Sequence, residues 1–270
     1  MAHISFFQVD AFTENPFKGN PAAVCLLQNE IPDDLMQKIA AENNLAETAF
    51  VLRSETGFSL RWFTPTVEIK LCGHGTLATA HVLWEQGILS KNELAAFHTL
   101  SGLLTVKKID NWLQLNFPRF SYKAIDVSVD MLKALGISPV NSVCADDGRY
   151  IIEVGEESKL LSINPDFSIL KNHPSVAVTC KAPNDSPYDF ISRSFAPSHG
   201  VNEDPVTGSS HCALAPYWSE KLHKTELFAF QASARGGELK LRLMGERVLI
   251  EGKAVTVIKG TFQTGSEFSE

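Results

Sequence analysis

His74 sits between Gly73 and Gly75 at the head of an Ala/Leu-rich run, "LCGHGTLATAHVLW". An imidazole titrates near neutrality and serves as acid, base or hydrogen-bond donor. Small neighbours let backbone N–H groups approach a ligand closely. A helix N-terminus carries about half a positive charge, which attracts carboxylates and phosphates. That same dipole disfavours an imidazolium in the first turn, so a neutral His74 is expected. Glu47, in "NLAETAF", ends a helix–turn and starts an apolar strand. A carboxyl buried at such a boundary is a usable proton shuttle. Further on, "EDPVTGSSHCALAPYW" opens a second Ala-rich run with Gly208 and Ser209, and Asp204 stands just ahead of it. Asp204 is placed to hold a substrate amino or hydroxyl group, and His211 falls one turn into that run. Asn20, in "GNPAAV", completes the candidate set.

Each residue also has a plain structural reading. Ser209 or Ser210 would cap a helix, Asp204 before Pro205 would make a turn, Asn20 is a turn residue, and Glu47 or His74 would be solvated. What favours chemistry is duplication. Arg61-Trp62-Phe63-Thr64-Pro65 and Arg193-Ser194-Phe195-Ala196-Pro197 share an R-x-F-x-P element. A short acidic link, a Gly-containing turn and an Ala/Leu run follow in both. Aligning Gly73 with Gly208 pairs Ala78 with Ala213 and Ala80 with Ala215, an offset of 208 − 73 = 135, half of 270. The second copy carries three extra residues in the link. Two related lobes, each offering one helix start, are expected.

The elements that must position these residues read as α+β. Strands are expected at 3–9, in "AAVCLL", "ETAFVLR" and "FSLRWF", and in three segments ending at "WLQLNF". Leu35, Met36, Ile39 and Ala40 recur at helical spacing after Pro32-Asp33. A helix is expected from Gly75 to Gln86, with Gly87 as C-cap. The second half repeats the mixture: a short helix near 129–135, strands near 149–154 and 175–181, and the alternating "YDFISRSF". A helix after Gly208 and four short β-segments complete it. The polar, Pro-led "PRFSYKAID" marks a boundary between lobes 1–119 and 120–270, with the final residues expected to pack back on the first lobe. Strands and turns outnumber helices, which excludes an alternating parallel βαβ pattern.

Composition narrows the function. A net charge of −7 with no Lys/Arg block longer than two residues lacks the footprint of a nucleic-acid binder or a basic face for membranes. No apolar run reaches transmembrane length, and "MAHISFFQVDAFTENPF" is no signal peptide. Cys25, Cys72, Cys144, Cys180 and Cys212 are odd in number and widely spaced, without CxxC. They read as reduced thiols of a cytoplasmic protein rather than a metal cluster or disulfide framework.

The segments "FQVDAFTENPFKGNPAAV", "NLAETAFV", "RWFTPTVEIKLCGHGTLATAHVLW" and "GVNEDPVTGSSHCALAPYW" resemble, in order and spacing, the phenazine-biosynthesis-like (PhzF-like) isomerase family. The resemblance implies a diaminopimelate-epimerase-like fold. Such a fold has two pseudo-symmetric lobes, each a curled, mostly antiparallel sheet around a central helix, with the active site in a cleft between them. It implies a cofactor- and metal-free enzyme, commonly a homodimer. Glu47 falls where the family has its acid/base carboxylate, and His74 and Asp204 match its histidine and aspartate. Gly73, Gly208 and Ser209 match positions that touch the substrate carboxylate, and Gly75 and Asn20 are taken as further substrate-binding candidates. The related epimerases use a facing pair of cysteines. Cys72 matches the first, but the repeat puts Thr207 at the second, and a hydroxyl is far too weak an acid to replace a thiolate. Cys72 is therefore expected to be a packed residue. Ala46, where some relatives carry a hydroxyl, removes a further hydrogen bond to Glu47. The resulting expectation is a small-acid isomerase whose proton moves on Glu47. An amino- or imino-acid racemase and a non-catalytic small-acid binder stand as alternatives.

Overall fold

A computed structural model describes residues 3–264. The chain forms two compact units, one of residues 1–116 with the chain from Glu251 onward, the other Phe117–Ile250. The division comes three residues before the expected boundary at 119/120. The last strand belongs to the first unit because it pairs along the whole of the first strand.

The first unit contains β1 (His3–Ala11), β2 (Asn20–Leu27), α1 (Asp33–Asn43), β3 (Thr48–Ser54), β4 (Gly57–Phe63) and β5 (Glu68–Ile69). It continues with α2 (Gly73–Glu85), β6 (Ala95–Thr99), β7 (Gly102–Ile109) and the start of β8 (Trp112–Pro118). The second contains β9 (Tyr122–Ala124), α3 (Val129–Leu135), β10 (Asn141–Ala145), β11 (Tyr150–Glu153), α4 (Glu157–Leu161) and α5 (Phe167–Leu170). Then come β12 (Val176–Lys181), β13 (Phe190–Ala196), β14 (Val201–Asp204), α6 (His211–Leu222), β15 (Glu226–Gln231), β16 (Gly237–Met244) and β17 (Arg247–Gly252), which leads back to β18 (Ala254–Gln263). Among the described residues no helix is long and apolar enough to cross a membrane.

The units repeat one connectivity. In the first, β1–β2 is antiparallel, β2–β3 parallel, β3–β4 and β4–β5 antiparallel, and β4–β6 parallel. In the second, β10–β11, β11–β12, β12–β13, β13–β14 and β13–β15 repeat that series in the same order. The R-x-F-x-P element is the clearest signature. Arg61 grips Glu68 with two hydrogen bonds of 2.7 Å, and Arg193 grips Glu203 with bonds of 2.7 and 2.9 Å. Each guanidinium also lies over the following phenylalanine ring, Phe63 at 5.1 Å and Phe195 at 5.0 Å. Glu68 follows its arginine by seven residues and Glu203 by ten, so the three-residue insertion lies inside this clamp.

One helix sits at the heart of each unit. In α2 every residue from His74 to Ala80 is buried, as are Val82, Leu83 and Trp84, the pattern of a helix apolar on all sides. It packs on β1, β2 and β3 of its own unit. Its two threonines bond back to the preceding turn, Thr76 to the Cys72 carbonyl at 2.5 Å and Thr79 to the Gly75 carbonyl at 2.7 Å. In α6, Pro216 removes one helical N–H. The Cys212 carbonyl thereby freed accepts the Phe120 N–H at 3.0 Å.

Both helix starts differ from expectation. α2 begins at Gly73, two residues early, because Cys72 acts as N-cap and its Sγ accepts the Gly75 N–H at 3.3 Å. α6 begins only at His211. Gly208, Ser209 and Ser210 form an opening turn whose carbonyls take N–H groups three residues on, from His211, Cys212 and Ala213.

Candidate active site

Three elements of the first unit bring its candidate residues together. Asn20 opens β2 and is fully buried. Glu47 immediately precedes β3, and its carbonyl accepts the Ala23 N–H across the parallel β2–β3 pair. His74 is the second residue of α2. The His74 Nε2 lies 2.9 Å from Glu47 Oε2. That oxygen accepts no well-aligned hydrogen bond, so charge attraction carries the contact. Asn20 Nδ2 stands 3.3 Å from His74 Nδ1. A half-turn of the Asn20 amide would present its oxygen instead, so this residue can follow the proton on His74.

Cys72 is no passive core residue. Its Sγ lies 3.6 Å from His74 Nδ1 and 3.9 Å from Nε2 while capping the helix. Burial pushes its thiol above the usual range, and the neighbouring imidazole partly offsets this. The expectation of a neutral His74 is overturned. Burial alone would lower its pKa, but Cys72 and Glu47 hold it well above the ordinary imidazole value. A carboxylate at 2.9 Å outweighs the half charge of a helix dipole. Gly75, expected to offer its N–H to a ligand, gives it to Cys72. It is glycine for packing: a Cβ there would come within 2.9 Å of Trp62 and 3.0 Å of Cys72 Sγ. Among the described residues, Glu47, Cys72 and His74 form a group whose donor atoms all lie within 4.8 Å of one another. The spacing in the sequence gave no sign of it.

In the second unit Asp204 ends β14, and its Oδ2 accepts the Thr207 hydroxyl at 2.6 Å. The Thr207 N–H goes to Gln231 Oε1 at 2.8 Å, and Gln231 Nε2 reaches the Asp204 carbonyl at 2.7 Å. Thr207 is thus committed to holding Asp204. The Ser209 hydroxyl accepts Arg149 Nη2 at 3.2 Å, while Ser210 Oγ turns inward to the Thr207 carbonyl at 2.8 Å. Gly208 lies in the opening turn of α6. Gln231 and Arg149 were missed in the sequence. Gln231 had a signal: it shares the buried parity of β15 with Leu227 and Ala229, and a polar residue on a buried face needs partners. Arg149, in the turn "DDGRY", had none.

His211 is fully buried rather than open to a ligand. Its Nδ1 lies 2.8 Å from the Thr207 carbonyl and its ring stacks on Phe190. Burial lowers its pKa to about 4, the Thr207 carbonyl opposing and Arg149 assisting. A measurable pH dependence follows. The unfolded chain takes up this proton below about pH 6.5, whereas the folded chain resists until about 4. Stability is full above pH 6.5 and falls as pH drops to 4, by about 3 kcal/mol. His74 adds no slope there, since it is protonated in both states. In His211→Asn, which keeps a donor for the Thr207 carbonyl, the thermal midpoint should vary much less over that interval. An unchanged slope would remove His211 as its source.

A doubled α+β fold sets a carboxylate against an imidazole at a helix start, an arrangement suited to acid–base chemistry. Known proteins place it further. The description "Phenazine biosynthesis-like protein" belongs to the family whose sequence pattern matches residues 9–260. An uncharacterized isomerase of Halalkalibacterium halodurans is 49% identical over 256 residues, 94% of this chain and 96% of that protein. The crystal structure of a phenazine biosynthesis protein, PhzF family, from Enterococcus faecalis superposes with a TM-score of 0.93. It is 39% identical and covers 97% of this chain and 100% of that one. A predicted epimerase of Pseudomonas aeruginosa shares the fold at a TM-score of 0.77, with 19% identity over 97% of this chain and 100% of that one. The chain belongs to the phenazine biosynthesis-like family of isomerases.

Proposed function

We propose that the chain isomerises a small carboxylic acid by moving one proton on Glu47. The observation that carries this reading is the Glu47 Oε2, 2.9 Å from His74 Nε2 yet without an aligned donor. It is held ready to take a proton, and catalytic hydrogen bonds commonly align only once substrate is bound. In this reading Glu47 removes a proton beside an unsaturated or carbonyl system and returns it elsewhere. His74 stabilises the charge that develops and passes or holds a proton. Asp204, in the second unit, is that unit's candidate for holding a polar substituent of a substrate. The backbone at Gly73 receives the substrate's carboxylate, and the Gly208–Ser209 turn is the second unit's own candidate anion contact. A single proton carrier suits isomerisation better than two-base epimerisation, because Thr207 gives its hydroxyl to Asp204. The step asks for no cofactor.

The test is to incubate the protein in D2O with small unsaturated, keto and amino acids and follow them by proton NMR. Deuterium appearing at a new carbon, with the double bond displaced, supports the isomerase. Deuterium at an inverted stereocentre supports the racemase instead. Binding with no exchange in any acid would leave a binding protein and sink the proposal.

A further inference from the structure

Glu47, Cys72 and His74 offer a carboxylate oxygen, a sulfur and an imidazole nitrogen within 4.8 Å of one another. We infer that these three side chains form a reversible binding site for a thiophilic divalent cation such as zinc, whose occupation blocks the acid–base pair. The geometry is close to what a tetrahedral ion needs. Zn–S near 2.3 Å, Zn–N near 2.05 Å and Zn–O near 2.0 Å require S···N and N···O edges of roughly 3.6 and 3.3 Å. Cys72 Sγ to His74 Nε2 is 3.9 Å, and His74 Nε2 to Glu47 Oε2 is 2.9 Å. Those two edges need changes of about 0.3–0.4 Å, and the Cys72 Sγ to Glu47 edge, within 4.8 Å, must close to roughly 3.5 Å.

The surroundings fit the ion as well. The Gly75 N–H already donates to Cys72 Sγ, which favours negative charge on sulfur. Asn20 stands against His74 Nδ1. With its amide turned, its oxygen would accept the Nδ1 proton and leave the Nε2 lone pair for the metal, the outer-shell support such histidines usually have. Three protein ligands leave the fourth position for water. Thiolate with imidazole selects zinc, cobalt or cadmium over magnesium or calcium, which prefer all-oxygen sets. The claim of binding stands on this donor set and does not depend on the isomerase reading; only the claim of inhibition does.

Cobalt(II) is the probe. Titrated into the full chain without substrate, it should give one near-ultraviolet thiolate-to-cobalt charge-transfer band at one equivalent, together with visible absorption of a tetrahedral ion. Zinc should abolish both. Cys72→Ser should lose the band, whereas Cys144→Ser, altering a partly exposed thiol elsewhere, should keep it. Glu47→Gln should keep the band and weaken cobalt affinity roughly tenfold. This second variant decides the matter if Cys72→Ser does not fold. No band in the unmodified protein, a band that survives Cys72→Ser, or an affinity unchanged in Glu47→Gln each overturns the inference. If the site holds and an exchanged acid is known, zinc should inhibit that exchange in step with cobalt displacement.

Discussion

Glu47→Gln should lower turnover by about a thousandfold, within the range that a positioned acid–base group contributes, or about 4 kcal/mol of barrier. Glutamine keeps the length and shape of the side chain, so the β2–β3 pairing that holds position 47 through its carbonyl is untouched. What is lost is the oxygen that can take up and release a proton. A second effect is electrostatic. His74 is held above its ordinary pKa by Cys72 and by Glu47 against the cost of burial. Removing the Glu47 charge lets burial act with less opposition, so the His74 pKa should fall. In stability the sign is fixed: a raised histidine contributes fully below about pH 6.5 and loses that contribution as pH rises through its folded value. Glu47→Gln should therefore flatten the alkaline loss of stability that His74 imposes on the parent protein. Deuterium exchange into the isomerised acid gives the rate, and thermal midpoints across neutral to alkaline pH give the linkage. Exchange at the parent rate in Glu47→Gln would end the assignment of this residue as the proton carrier.

The way the pair is assembled explains what the sequence disclosed. Cys72 and His74 are two residues apart at one helix start, so their proximity is local and readable. Glu47 reaches them only through a parallel strand pairing between β2 and β3, a non-local contact that no spacing encodes. The charge state of His74 was misread for the same reason: the helix dipole is visible in the sequence, while the carboxylate at 2.9 Å is not. The doubled architecture was legible because Arg61 and Arg193 each carry an acid on the far side of a short link, and a charged clamp tolerates few substitutes. The short helix expected near 129–135 is α3, which Ser128 caps and Gly136 closes in the left-handed region. The elements that escaped are short. β5, β9 and β14 have two to four residues, α5 has four, and β10 and α4 have five, too few for a repeating pattern to stand out. The C-terminal strand was legible as a strand, and its return to the first lobe was expected, but its partner β1 lies about 250 residues away, so the pairing itself was not readable.

Gly19→Ala should be the most damaging single methyl group in the first unit. Gly19 has φ +63°, a region that alanine enters at a cost of roughly 1 kcal/mol. The larger problem is space. A Cβ at this position would lie 2.1 Å from the Ala11 carbonyl oxygen and 2.7 Å from Thr13 Cγ2. The nearer atom is backbone, and Ala11 pairs with Asn20 at the end of the β1–β2 ladder, so neither side can yield without opening that pair. The expected loss is about 3 kcal/mol or more, a fall of about 10 °C in the thermal midpoint. Gly87→Ala supplies the comparison. Its φ is +67° but nothing lies within 4 Å of the added Cβ, so only the conformational term of roughly 1 kcal/mol applies. Equal midpoints for the two variants would show that the contact at Ala11 relaxes freely. The consequence reaches the site because Asn20 follows Gly19 directly and sets its amide 3.3 Å from His74 Nδ1. A turn that opens at Gly19 withdraws that amide, so the same substitution should lower the His74-dependent exchange rate in whatever protein remains folded. Gly87→Ala, at the opposite end of α2, should leave that rate unchanged.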